Sequence, residues 1–227
     1  MMRVKICGIR NEEDLKCVAD SGADAAGFLL GQLHSSPDFI LASTAARLCH
    51  ALPPYVSPVI VTHLTDPEDI LDLVLQTGIT SIQLHGGSTP EQVMTLRDML
   101  PPGAKLILGT HLESERSFPA LMDFYRLVDG ILLDSCDPVH NRVGGTGMTH
   151  DWKLSAKFVS ISPVPVILAG GLTPENVGEA IRTVGPYAVD VNTAMKREED
   201  GSLSAEKCQK FVAAARSAAE LFHSPKS

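Results

Sequence analysis

Short apolar runs alternate with amphipathic stretches along this chain, and the alternation occurs eight times. Val4–Cys7, Ala25–Leu30, Val59–Thr62, Ser81–Leu84, Leu106–Gly109, Gly130–Asp134, Val166–Ala169 and Ala188–Val191 read as strands. Helical patterns follow at Glu12–Ser21, Ser43–Ala51, Pro67–Thr77, Pro90–Met99, Ser114–Leu127, Trp152–Phe158, Pro174–Val184 and Ala205–Phe222. Asp66-Pro67, Thr89-Pro90 and Thr173-Pro174 each set a capping side chain before a proline, a common way for a helix to begin. The strands are apolar almost throughout, as parallel strands covered on both faces must be. At roughly 28 residues per unit, eight β/α units use nearly the whole length, predicting an α/β fold with a single-domain (β/α)8 TIM barrel over residues 1–222. The polar residues 223–227 are expected to be a disordered tail. A doubly wound sheet would share the pattern but needs G-x-G-x-x-G after its first strand, where this chain reads Cys7-Gly8-Ile9-Arg10.

Charge narrows the partners. With 19 basic and 27 acidic residues the net charge is −8, which speaks against nucleic acid or an anionic membrane surface. Any anion site must therefore be local, built from backbone dipoles and a few cations. Cys7, Cys17, Cys49, Cys136 and Cys208 are scattered without a C-x-x-C pair, so they read as reduced thiols with neither disulfides nor zinc. No run is long enough to span a bilayer and no apolar leader opens the chain, so a soluble, cytoplasmic protein is expected.

In a barrel, chemistry sits where strands end at the C-terminal face. Cys7 closes the first strand and Asp134 the sixth. A thiolate favoured by nearby positive charge can act as base or nucleophile, and a carboxylic acid across the mouth can donate a proton. Either residue could instead be structural, Cys7 as a small core residue and Asp134 as a loop cap. The run VILAGGLTPENV, Val166–Val177, brings Gly170-Gly171 to a helix start with Thr173 as N-cap, exposing backbone N–H groups to an anion. Ala188–Val191 followed by Asn192-Thr193-Ala194 repeats the design, and two such corners make a phosphate site. Gln83 and His85 lie at the fourth strand. His85 and His63 could be ligands, acids or satisfied hydrogen-bonding groups. Gly144 and Gly145 allow close approach to a ligand, or simply a mobile loop. No Asp/Glu/His cluster suggests a metal. The face Phe211, Ala214, Ala215, Ala218 and Leu221 reads as core packing.

The motifs KICGI (Lys5–Ile9), GADAAGF (Gly22–Phe28), IQLHG (Ile82–Gly86), ILLDS (Ile131–Ser135), GGTG (Gly144–Gly147), HDW (His150–Trp152), LAGGLTPENV (Leu168–Val177) and VDVN (Val189–Asn192) stand in one order along the chain. In this the chain resembles the phosphoribosylanthranilate isomerase family of tryptophan biosynthesis. The resemblance implies an Amadori rearrangement of an aldose-amine to a ketose-amine, with neither metal nor organic cofactor. Cys7 would be the base removing the C2′ proton and Asp134 the acid opening the furanose ring. The phosphate would lie on the backbone of Gly170-Gly171 and Thr193-Ala194, with Arg10, Gln83, His85, Gly144, Gly145 and Asn192 completing the substrate site. The expected partner is a small phosphorylated substrate, and the assembly a monomer or homodimer. The alternatives are an isomerase of the same fold on another phosphorylated sugar or sugar-amine, and a non-catalytic phosphometabolite-binding barrel.

Some positions depart from the family. Where it usually reads S-P-R and an aromatic, with the arginine meeting the anthranilate carboxylate, this chain reads Ser36-Pro37-Asp38-Phe39. An anion there is expected to turn about 4 kcal/mol of attraction at ~4 Å into repulsion, before screening. Arg10, where the family commonly has threonine, is the expected source of the missing charge. Thr62-His63-Leu64 and Ala194 also differ from the family, with the Ala194 N–H still on offer to the phosphate, and the longer loop Cys136–Arg142 is expected to reshape the mouth.

Overall fold

Hydrogen bonding closes eight parallel strands into a ring. The computed structural model describes residues 1–33, 35–134, 136–137, 142–143 and 151–223. The strands are β1 (Arg3–Cys7), β2 (Ala25–Leu29), β3 (Ser57–Thr62), β4 (Ser81–Leu84), β5 (Lys105–Thr110), β6 (Gly130–Leu133), β7 (Val166–Leu168) and β8 (Ala188–Val191). Each pairs with its sequence neighbours, and β1 pairs with β8 to complete the ring, with Lys5 opposite Asp190. The helices between them are α1 (Glu12–Ser21), α2 (Ala42–His50), α3 (Pro67–Thr77), α4 (Pro90–Met99), α5 (Phe118–Met122), α6 (Trp152–Ile161), α7 (Val177–Val184) and α8 (Ala205–His223). The predicted α/β barrel is the observed one.

Alternation along the strands divides the core. Val4 and Ile6 are buried, and so are Lys5 and Cys7, which alternate with them. Lys5 reaches across the interior to Gln83 on β4, so the Lys5/Cys7 side faces the barrel axis and the Val4/Ile6 side faces the helices. The outer layer is apolar, with Phe28, Phe158 and Phe211 fully buried. Of the predicted α8 stripe, Phe211, Ala215 and Ala218 are buried and Ala214 packs against the core, while the Leu221 side chain lies outside the described ones.

Capping sets several helix boundaries. Asp66 accepts from the N–H groups of Glu68 and Asp69, and Thr89 forms a reciprocal box with Gln92. Two predicted helices are shorter than expected. Ser114–Leu127 splits into a 3-10 turn at Glu115–Ser117 and the five-residue α5. Beyond it, Phe124 N–H and Tyr125 N–H bond to the carbonyls three residues back, which tightens the chain out of α geometry. α7 begins at Val177 rather than Pro174. After β6, Cys136–Asp137 and Arg142–Val143 pair antiparallel. α8 runs one residue past the predicted boundary, to His223, and residues 224–227 lie outside the described residues.

Candidate active site

Cys7 ends β1 with its side chain at the interior mouth of the barrel, where it lies opposite Gly27 of β2. A Cβ on Gly27 would stand 2.7 Å from Cys7 Sγ, so only glycine leaves room for the thiol. The thiol contacts the Lys5 ammonium two residues earlier. The expectation that nearby positive charge lowers its pKa is corrected here. Burial pushes Cys7 up to about 11; Lys5 offsets part of this, while the carboxylates of Asp190 and Asp38 add to the rise. Desolvation outweighs a single cation that is itself shared.

Lys5 is the hub of a buried polar layer. Its Nζ donates to Asp190 Oδ2 at 2.6 Å and to Gln83 Oε1 at 3.0 Å. Burial pulls the lysine pKa down, but Asp190 and then Cys7 more than reverse this, so Lys5 is held charged. Gln83 Nε2 lies 3.2 Å from His85 Nδ1, and His85 Nε2 lies 3.6 Å from Asp134 Oδ2. Burial, with His63 and Lys5 nearby, pushes His85 down to about 4, so the ring is neutral. Cys7 and Asp134, 127 positions apart in sequence, are thus joined through Lys5, Gln83 and His85.

The glycine corner after β7 is open. Gly170 and Gly171 both have positive φ, 81° and 63°, and neither donates its N–H to a protein acceptor among the described residues. Thr173 does not cap α7 directly. Its Oγ1 accepts from Glu175 N–H and Asn176 N–H in a turn preceding the helix, and Asn176 bonds back to Thr173 N–H and to the Gly171 carbonyl. That turn delays the helix and holds the corner's shape. At the neighbouring corner, Asn192 is followed by a 3-10 turn, Thr193–Met195. A hollow of about 350 Å3, lined in part by Thr173, Pro174, Ala194, Lys207 and Lys210, lies beside both corners. A larger one, about 710 Å3, opens on the outer wall between Pro90, Met94 and Met122, away from the strand ends.

Asp38 does not present a bare anion. It is buried, accepting from Asn192 Nδ2 at 3.0 Å and from the Lys196 ammonium. The expected repulsion at this point is corrected accordingly, because the carboxylate carries its own counter-charge. Arg10 lies at the mouth with its Nε on Asp14 Oδ2 at 3.0 Å, and Asp14 also accepts from Leu203 N–H. Gly144 and Gly145 lie outside the described residues.

Sequence reasoning missed Lys5, Asp190 and Lys196. The first two left a signal, a lysine and an aspartate inside otherwise apolar strands, where a buried charge needs a partner. Lys196 left none, since nothing local ties it to Asp38.

Fold and site together define a (β/α)8-barrel enzyme whose strand ends bring a thiol, a carboxylic acid and open glycine amides to one mouth. The sequence profile described as N-(5′-phosphoribosyl)anthranilate (PRA) isomerase matches residues 4–214, and the chain belongs to that family. It is an aldose–ketose isomerase by that membership. It is 44% identical over 211 residues to N-(5′-phosphoribosyl)anthranilate isomerase 2 of Methanosarcina mazei, covering 93% of this chain and 92% of that protein. The Thermotoga maritima phosphoribosyl anthranilate isomerase superposes with a TM-score of 0.81 at 32% identity, over 96% of this chain and 100% of that one. Another phosphoribosyl anthranilate isomerase, solved with reduced 1-(o-carboxyphenylamino)-1-deoxyribulose 5-phosphate, gives 0.79 at 31% identity, over 96% and 100%.

Proposed function

We propose that this barrel isomerises N-(5′-phosphoribosyl)anthranilate to the 1-deoxyribulose 5-phosphate product, with Cys7 as base and Asp134 as acid. The observation that supports the assignment is the buried series of polar contacts through Lys5, Gln83 and His85 that runs from beside Cys7 to Asp134. Asp134 gives its proton to the furanose ring oxygen as the C1′–O bond breaks, and the anthranilate nitrogen lone pair forms the iminium. The Cys7 thiolate then takes the C2′ proton, and the electron pair left behind neutralises the iminium to an enolamine that tautomerises to the ketone. The substrate nitrogen is the electron sink, so the residues need only move protons.

The phosphate is assigned to the open amides of Gly170-Gly171 and to Thr193-Ala194. Arg10 and Asn192 are assigned to the rest of the substrate, and so are Gly144 and Gly145 from their sequence position. The partner assigned is a small phosphorylated metabolite held by local backbone amides, and the protein is read as a cytoplasmic monomer or homodimer. The test is loss of phosphoribosylanthranilate fluorescence. Wild-type turnover that disappears in both Cys7→Ser and Asp134→Asn supports the assignment; full turnover in either variant rejects that residue's role.

A further inference from the structure

Gln83 lies between a group that can only donate and a group that can do either. The Lys5 ammonium has no lone pair, so the amide oxygen of Gln83 must face it, at 3.0 Å. The amide NH2 is thereby turned toward His85 Nδ1, 3.2 Å away. A neutral imidazole carries one proton, and a donor facing Nδ1 makes that nitrogen the acceptor. The proton therefore resides on Nε2, the nitrogen facing Asp134 Oδ2 at 3.6 Å. The same nitrogen is crowded from β5: a Cβ on Gly109 would stand 2.5 Å from His85 Nδ1, so only glycine there leaves the ring its place beside Gln83. All donors in the series point the same way, from Lys5 beside the base to the carboxyl of the acid.

We propose that Gln83 is a positioning residue that locks His85 as the Nε2–H tautomer, so that an N–H group always faces the Asp134 carboxylate formed when the acid gives up its proton. The opposite tautomer would aim a lone pair at that new anion and oppose the proton transfer. At 3.6 Å the contact is longer than a hydrogen bond in the free protein, and catalytic contacts of this kind shorten when the site fills. The Asp190–Lys5 pair completes the device by keeping the lysine charged and its hydrogens directed. The proposal rests on Asp134 as the acid, but its first readout does not involve turnover.

Two-bond 1H–15N correlation spectra of the histidine rings, with His85 identified by its loss in His85→Gln, read the tautomer directly. The wild-type protein at neutral pH is expected to show His85 protonated at Nε2 alone. Gln83→Glu keeps an acceptor for Lys5 but turns a second acceptor on Nδ1, so that nitrogen should become protonated. Its kcat should fall about tenfold or more while KM changes less than about threefold. Gly109→Ala, which pushes the ring off Gln83 without altering charge, should blur the tautomer pattern and lower kcat, and stands in if Gln83→Glu does not fold. A wild-type ring protonated at Nδ1, an unchanged pattern in the variants, or a switched tautomer with unchanged kcat would each overturn the proposal. A locked wild-type ring in a protein that does not turn over phosphoribosylanthranilate leaves the lock standing and rejects the assigned reaction instead.

Discussion

Asp38 and Lys196, 158 residues apart, form an ion pair at the barrel mouth, with the carboxylate buried and also held by Asn192. The pair places a cation beside the position where the sequence supplies only an anion. Asp38 contributes to the field at Cys7, so the pair belongs to the surroundings of the reacting thiol. Removing one partner of a buried pair leaves an uncompensated charge, which costs about 3–5 kcal/mol. Lys196→Met should accordingly lower stability by roughly 3 kcal/mol, whereas Asp38→Asn combined with Lys196→Met should recover most of it. Denaturant titrations of the two variants check this. A single variant as stable as wild type would mean the pair contributes nothing.

Arg10 is oriented by Asp14, which Leu203 N–H holds from the far side. With the guanidinium assigned to the substrate, Arg10→Ala should raise KM about tenfold and leave kcat nearly unchanged, the pattern of lost uniform binding. Steady-state kinetics decide the matter, and an unaltered KM removes Arg10 from the binding set.

Cys7 gives a pH signature. Burial raises its pKa to about 11, and the base form is the thiolate. At pH 7 only about one molecule in ten thousand then carries it, so alkylation of the Cys7 thiol, measured against Cys7→Ser, should speed up about tenfold per pH unit from pH 7 toward pH 10. A plateau below pH 9 would show that positive charge outweighs burial after all.

His85 supplies the opposite case. Its pKa is about 4 in the folded protein against about 6.5 in an unfolded chain. Between those values the unfolded state binds more protons, so stability falls as pH drops from 6.5 to 4. That difference corresponds to roughly 3 kcal/mol at the acid end. Urea titrations should show that much acid sensitivity missing from His85→Gln. An equal pH dependence in the two proteins would place the charged form of His85 in the native state.

Much of the architecture was legible because each β/α unit carries its own local signals. Asp66-Pro67 and Thr89-Pro90 started α3 and α4 where predicted, since a cap acts on amides within its own turn. Thr173-Pro174 carries the same signal, yet its threonine closes a turn and the helix starts three residues on. There Asn176 reaches back to the Gly171 carbonyl, a contact that matters only because the glycine corner is held by the sheet. Ser114–Leu127 has a helical pattern but i→i+3 hydrogen bonds take over after Met122. At the site, Cys7, Asp134 and Gly170-Gly171 could be placed from strand ends alone. The field around them could not, because it depends on who crosses the interior.

The order of apolar and polar residues determined eight strands, their covering helices and the face on which chemistry would gather, because periodicity and capping are properties of neighbouring residues. Ring closure decided the rest. It set Lys5 against Asp190 and Gln83, and brought Lys196 to Asp38. Partners 78 to 185 positions apart leave no trace in local spacing, and burial, which sets the pKa values of Cys7 and His85, exists only once the barrel has shut.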